Sequence, residues 1–143
     1  MAEQMEHAFR NEIPEILNQR VFAVVGASRD PEKYGYKVYK SLKRAGCIVY
    51  AVNPNADDLD GDTVYPLLDN VPEQIDCIVT VVPPEVTLAI IPQASHLGVR
   101  YCWMQPGSES EAAVNEAIGH GMMTVHGGPC IMVAVLTHRR SDA

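Results

Sequence analysis

No stretch of this sequence is long and apolar enough to span a membrane. The most apolar region, Ile78 to Ile91, is interrupted by Pro83, Pro84 and Glu85. The N-terminus carries Glu3, Glu6, Glu12 and Glu15 and lacks the basic and then apolar pattern of a signal segment. A cytoplasmic protein is therefore expected. Basic charge is scarce as well: 11 Lys plus Arg stand against 18 Asp plus Glu, a net charge of −7. That balance argues against a nucleic-acid partner, which needs a basic face to replace phosphate counterions. It leaves room for a single anionic ligand, because a local pocket can be positive on an acidic protein. No CxxC pair occurs among the four cysteines, Cys47, Cys77, Cys102 and Cys130. In a reducing compartment they are expected to be free thiols.

What is present fits one folded unit. The chain has 143 residues, 47% apolar and 20% charged, enough for one core. It shows no internal repeat, no low-complexity segment and no second domain. Residues 2–18 read as an amphipathic helix, with Met5, Phe9, Ile13, Ile16 and Leu17 at helical spacing and Pro14 as a kink. We treat residues 1–18 as a helical extension and 19–143 as the main domain. "VFAVV" (21–25) is a short apolar run of the kind found in a strand covered on both faces. Residues 33–45 predict a helix with Val38, Leu42 and Ala45 inward, ended by Gly46. Further strands are expected at 47–52, 76–82, 99–104 and 122–125. Further helices are expected at 85–97, from Ser108 to about Gly119, and after Pro129. Ser108 is read as an N-cap with Glu111 as its capping-box partner. Residues 53–66, "NPNADDLDGDTVYP", read as loop and turn throughout.

Strand and helix alternate five times. That order predicts a doubly wound, mostly parallel, five-stranded sheet with helices on both faces. Ligands of such sheets sit at the carboxyl ends of the strands. The residues just beyond the predicted strands are Gly26-Ala27-Ser28, Asn53-Pro54, Pro83-Pro84, Gln105-Pro106-Gly107 and Gly127-Gly128-Pro129-Cys130. Gly26 permits a tight turn and a close ligand approach. Ser28 stands beside the free amides of a following helix, a setting that suits phosphate. Arg29, Lys33 and Lys37 bring positive charge nearby. The plainer reading is that Gly26 only turns the chain and Ser28 only caps the helix.

A dinucleotide fingerprint does not fit. Gly26 is followed by Ala27 and Ser28, and the next glycine is Gly35. The strand end where an acid would hold the ribose carries Asn53, 27 residues on (53 − 26). NAD is therefore disfavoured. Catalytic groupings are sparse too. His7, His96, His120 and His138 fall on helices or helix ends. His126 shares the last strand-end loop with Cys130, which suits a Cys–His pair or a metal site, yet no third ligand or orienting acid has suitable spacing. Cys47, Cys77 and Cys102 read as small packing residues. Cys130 differs, because it would open a helix, where the dipole favours thiolate. Tyr101, Trp103 and Met104 read as core or rim packing.

The motifs "VVGASRDPEKYGYKV", "GCIVYAVNPN", "GDTVYPLLDNVPEQIDCIVTVVPPEV", "WMQPGSESEAAVNEA" and "CIMV" occur in that order. Over roughly residues 20–135 the chain resembles the small stand-alone CoA-binding proteins, similar to the CoA-binding domain of the succinyl-CoA synthetase alpha subunit. The resemblance implies a Rossmann-like α/β domain that binds coenzyme A, or an acyl-CoA, with the ADP part across the strand ends. Carried over by position, it places Gly26, Ala27 and Ser28 under the pyrophosphate, and Lys33 and Tyr34 along the first loop. Asn53 and Pro54 lie beside the adenosine. Val82 and Pro83 form a wall, Gln105, Pro106 and Gly107 a loop, and Cys130 is the cysteine of CIMV. One departure stands out: Gly-Gly-Pro precedes Cys130 where the family often has a basic residue. The 3′-phosphate of CoA agrees with Asn53, since a carboxylate there would repel it.

The leading expectation is a CoA-binding protein with no reaction assigned and with Cys130 as a redox-capable thiol. The alternative is a small NAD(P)-linked or acyl-CoA-processing enzyme that uses Cys130 or His126. A homodimer or another protein subunit is left open as a partner, and ligase activity would need more than this chain. Gly26→Val is expected to abolish binding and leave the fold largely intact.

Overall fold

The structure, a computed structural model, describes residues 9–142. Met5 and His7 lie outside them. The elements run α1 (Glu12–Leu17), β1 (Val21–Val25), α2 (Tyr34–Arg44), β2 (Ile48–Val52), β3 (Asp58–Leu59), β4 (Asp62–Tyr65), a 3-10 turn (Leu68–Asn70), β5 (Cys77–Thr80), α3 (Pro84–His96), β6 (Tyr101–Met104), α4 (Glu111–Gly119), β7 (Met123–Val125) and α5 (Ile131–Asp142).

The sheet order is β3-β4-β2-β1-β5-β6-β7. Strands β4, β2, β1, β5, β6 and β7 pair in parallel, for example Val24 with Ala51 and with Val79. From β1 the chain first winds outward through β2 and β4. It then returns to β5 on the other side of β1 and winds outward again. The reversal opens a crevice between the carboxyl ends of β1 and β5, where doubly wound sheets take ligands.

Alternation along the strands builds two cores. Phe22, Val24, Cys77, Val79 and Trp103 face one side, under α1, α2 and α5. Ala23, Val25, Ile78, Cys102 and Met104 face the other, under α3 and α4. All five residues of β1 are buried, as a central strand covered on both faces requires. Fully burying a side chain such as Phe22 contributes about 1.5–3 kcal/mol. The last turn of residues 2–18 joins this core, since Ile16 and Leu17 are buried. Pro14 sits in the first turn of the six-residue α1, where a missing N–H costs little.

Two expectations require correction. The sheet has seven strands, because residues 53–66 are not loop throughout. Asp58–Leu59 pairs antiparallel with Asp62–Tyr65 across a two-residue Asp60-Gly61 turn with φ of 51° and 89°. Leu59 and Val64 are buried, and β4 extends the sheet beside β2 through Ala51–Val64 and Val52–Tyr65. Asp-Gly is the hairpin signal that this acid-rich stretch concealed. The second correction concerns the helix after β6. Its N-cap is Ser110, whose Oγ accepts from Ala113 N at 3.1 Å. Ser108 is instead buried, bonded to Thr80 Oγ1 at 2.9 Å and donating to the Gln105 carbonyl at 2.8 Å. Either serine can cap a helix, and tertiary bonding claimed the first.

Candidate functional site

The parallel strands deliver their exits to one edge, and there the predicted site residues form two linked groups. The first surrounds Gly26. This residue has φ of 95°, and its N–H donates to the Val52 carbonyl at 2.9 Å. A Cβ there would collide with the Val81 carbonyl and come within 2.6 Å of Val82 Cγ1. Gly26 is therefore wedged against the exit of β5. The expectation that Gly26→Val would spare the fold is corrected: left-handed backbone and a backbone collision both oppose a side chain.

Asn53 holds this loop from the β2 side. Its Nδ2 donates to the Ala27 carbonyl at 2.8 Å, and its Oδ1 accepts from Asn55 N at 2.8 Å. Pro54 follows on the exposed surface. Ala27 is fully buried. Ser28 Oγ accepts from Asp30 N at 3.1 Å, and Asp30 Oδ1 accepts from Glu32 N at 3.0 Å. These turns lead to Lys33, the N-cap of α2, which offers no side-chain cap. The amides of Ala27, Ser28, Tyr34 and Gly35 donate to no protein acceptor among the described residues. Unsatisfied amides grouped at a helix N-terminus form a partial positive charge suited to an anion.

Side-chain charge sorts along α2 in the same sense. Lys40 pairs with Asp60 at 3.2 Å, and Lys43 pairs with Asp62. Tyr36 Oη donates to Asp60 at 2.6 Å and Tyr39 Oη to Asp62 at 2.9 Å. Hydrogen bonds from Tyr36 and Lys40 hold the Asp60 carboxyl below the usual range, and bonds from Lys43 and Tyr39 do the same for Asp62. Arg29, Lys33 and Lys37, toward the strand exits, have no carboxylate partner among the described residues. Lys37 Nζ instead lies 5.4 Å from the exposed Tyr34 ring.

The second group joins β6 to α5. Gln105 is buried; its Oε1 accepts from Ile131 N at 2.8 Å, and its Nε2 contacts Cys130 Sγ at 3.4 Å. Gln105 thus caps α5 from a residue 26 positions away. Gly107 N donates to Glu109 Oε1 at 3.0 Å, and Trp103 Nε1 donates to the Pro129 carbonyl at 3.1 Å. Cys130, half-buried, precedes the first residue of α5. Pro83 and Pro106 are exposed at the same edge, with Pro84 at the first position of α3, where proline fits a helix start.

Other candidates separate from these groups. The His126 ring packs edge-on against Phe9, with centroids 5.2 Å apart, and no hydrogen bond joins it to Cys130. Among the described residues no three His, Cys, Asp or Glu groups are placed to hold a metal. Cys77 and Cys102 are buried; burial pushes the Cys102 thiol up to about 12 and raises Cys77 as well. Gly35 and the dual role of Gln105 were missed from sequence. A glycine at the first turn of a helix that follows a glycine loop was the available signal for Gly35.

Fold and site together define a nucleotide-binding α/β module of the Rossmann-like class. The chain belongs to the CoA binding domain family, whose sequence profile matches residues 20–135. It is accordingly a CoA-binding protein, and no reaction follows from that membership. The acetate–CoA ligase [ADP-forming] II subunit alpha of Pyrococcus furiosus is 36% identical over 85 residues, 59% of this chain and 19% of the relative. The chain therefore spans about a fifth of that ligase subunit. A conserved hypothetical protein from Pyrococcus furiosus is 40% identical with a TM-score of 0.75, covering 80% of this chain and 98% of that one. The dinucleotide-forming acetyl-coenzyme A synthetase 1 of Ca. Korarchaeum cryptofilum, in complex with phosphate and ADP, is 32% identical with a TM-score of 0.69. There 81% of this chain aligns with 27% of the synthetase. Among the described residues no helix is long and apolar enough to cross a membrane.

Proposed function

We propose that the chain binds the ADP part of coenzyme A, or of an acyl-CoA, across the exits of β1, β2 and β5. In this reading Gly26, Ala27 and Ser28 lie under the pyrophosphate: the amides of Ala27 and Ser28 cradle it, while Gly26, whose own amide is taken by Val52, lets it come close. Lys33 supplies charge, and Tyr34 flanks the entrance. Asn53 fixes the loop through the Ala27 carbonyl, with Pro54 beside the adenosine. Val82 and Pro83 form one wall, and Gln105, Pro106 and Gly107 support the far side. The carrying observation is the group of amides at 27, 28, 34 and 35 without a protein acceptor, near three cations, Arg29, Lys33 and Lys37, without a carboxylate partner, among the described residues. Of the nearby acids, Asp30 turns its carboxylate onto the Glu32 amide, and acids beyond about 8 Å are largely screened at physiological salt.

We assign no reaction, so CoA is a ligand here before it is a cofactor or a substrate. The ligase activity named for the curated relative stays with that protein, since this chain matches only 19% of it. Cys130 is the thiol we place at this edge, opening α5 with Gln105 on its sulfur. A cytoplasmic location and a partner, either a second copy or another subunit, belong to the same proposal. Calorimetry tests the ligand: CoA should bind most tightly, dephospho-CoA more weakly and NAD weakest. NAD binding tighter than CoA would remove the reading.

A further inference from the structure

Gly35 is the second residue of α2, and its backbone is ordinary helix, outside the positive-φ glycines. Nothing about its conformation demands glycine. Space does. A Cβ built on it would press into the Gly26 carbonyl, far inside the 3.0 Å that real Cβ atoms respect, and would lie 3.1 Å from Ser28 N. The first turn of α2 thus rests directly on the Gly26–Ser28 loop. Neither the Ser28 amide nor the Gly35 amide has a protein acceptor among the described residues. The loop cannot retreat to make room, since Gly26 is itself wedged against Val81 and Val82 and tied to Val52.

We infer that Gly35 is a positioning residue of the phosphate site. Its missing side chain seats α2 on the Gly26 carbonyl, so that the amides of Ser28 and Gly35 converge on one anion. The inference rests on the reading that this loop receives the phosphates of CoA. A methyl at position 35 would lift the helix from the loop and separate the two amides. The loss falls chiefly on the phosphate contacts, because the adenosine side is built from Asn53 and Pro54 beyond β2, and Asn53 is tied to the Ala27 carbonyl of the loop and not to α2.

The test compares wild type with Gly35→Ala, using ADP and adenosine as separate probes and urea unfolding as a control. ADP affinity should fall about tenfold or more, the scale of a lost hydrogen bond to a charged group, while adenosine affinity stays within about twofold. Equal losses for both probes would make Gly35 a stability residue only, and an unchanged ADP affinity would reject its role outright. Should the variant fail to fold, titration of wild type with inorganic pyrophosphate, followed by backbone amide resonances, decides instead. Ser28 and Gly35 should shift along one binding curve. A shift at Ser28 without Gly35, or at neither, overturns the inference. Wild-type affinity for CoA is measured alongside. If wild type does not bind CoA, the underlying reading falls; if it binds and only the Gly35 outcomes fail, the inference alone falls.

Discussion

The two ends of α2 carry the same kinds of residue and use them in opposite ways. Toward the C-terminal end, Lys40 and Lys43 are bound to Asp60 and Asp62 of the β3–β4 hairpin, and Tyr39 and, from the first turn, Tyr36 donate to the same carboxylates. At the N-terminal end, Lys33 and Lys37 have no carboxylate partner and the amides of Tyr34 and Gly35 no acceptor among the described residues. Chain-wide charge is −7, yet Arg29, Lys33 and Lys37 stand near the strand exits without a carboxylate partner among the described residues. The hairpin holds its two acids, Asp60 and Asp62, against Lys40 and Lys43 and so leaves the cations of the first turns uncompensated by it. Satisfied charge marks architecture, and charge left without a partner is where we propose the ligand sits.

The largest expected effect comes from the seat beneath the open end. Gly26→Val must accommodate both a left-handed backbone and a collision with the Val81 carbonyl. We expect a stability loss of about 2–5 kcal/mol, adding about 1–2 for the backbone to about 1–3 for overpacking. Urea unfolding measures it. A variant as stable as wild type would mean that the loop is more yielding than its contacts imply.

The comparison itself breaks or holds on paired lysine variants. Lys33→Ala should weaken CoA binding on the order of tenfold at low salt, and added salt should narrow the gap. Lys40→Ala removes a cation already neutralised by Asp60, so its CoA affinity should stay within about twofold. Calorimetry at two salt concentrations reads both. Equal losses for the two variants would erase the distinction between the ends.

How far this contrast was legible in the sequence depends on the range of each interaction. β1, the Gly26 turn and α2 follow from local pattern: an apolar run, a glycine, then helical spacing through Val38 and Leu42. The positive charge near Ser28 was legible for the same reason. Its partition was not, because the Asp60 and Asp62 partners lie in a stretch whose composition reads as loop. The hairpin was recoverable from Asp60-Gly61 between Leu59 and Val64. Ser108 and Ser110 are equally good caps locally; only Thr80, 28 positions away, decides between them. Gln105 appeared as a loop residue, whereas its side chain spans to Cys130 and Ile131, a pairing that no local pattern encodes.

Gln105 extends the comparison to the second group of strand exits. Gln105→Ala should cost about 1–2 kcal/mol, since it leaves the buried Ile131 amide without its acceptor. The same bridge bears on Cys130. With oxidised CoA, the Cys130 thiolate would attack one sulfur of the disulfide, forming a mixed disulfide and releasing CoA as thiolate. Intact mass after incubation should rise by one CoA in wild type and stay unchanged in Cys130→Ser. An equal rise in the variant, or none in wild type, would leave Cys130 as a packing residue.

The smallest effect belongs to the satisfied end and depends on pH. Asp62 is lowered first by its hydrogen bond from Lys43 and then by Tyr39. A carboxyl whose folded pKa lies below its unfolded value, about 3.8, stabilises the fold above that pH. The contribution is lost as pH falls through the folded value. The Tyr39 hydroxyl runs the other way, raised first by burial and then by its bond to Asp62, so its share fades only when strong alkali ionises it. The hairpin latch therefore works across the neutral range and loosens in acid. Asp62→Asn should lower stability at pH 7 by no more than about 1 kcal/mol, as partly exposed pairs do. Urea unfolding of both proteins at pH 7, 4 and 3, that is well above, near and below the unfolded value of 3.8, should show the difference shrinking as the pH falls. CoA affinity at pH 7 should not change, because this end of α2 faces the hairpin and not the strand exits. A stability difference that persists undiminished at pH 3, or an affinity that falls with it, would mean that the two ends of the helix are not independent.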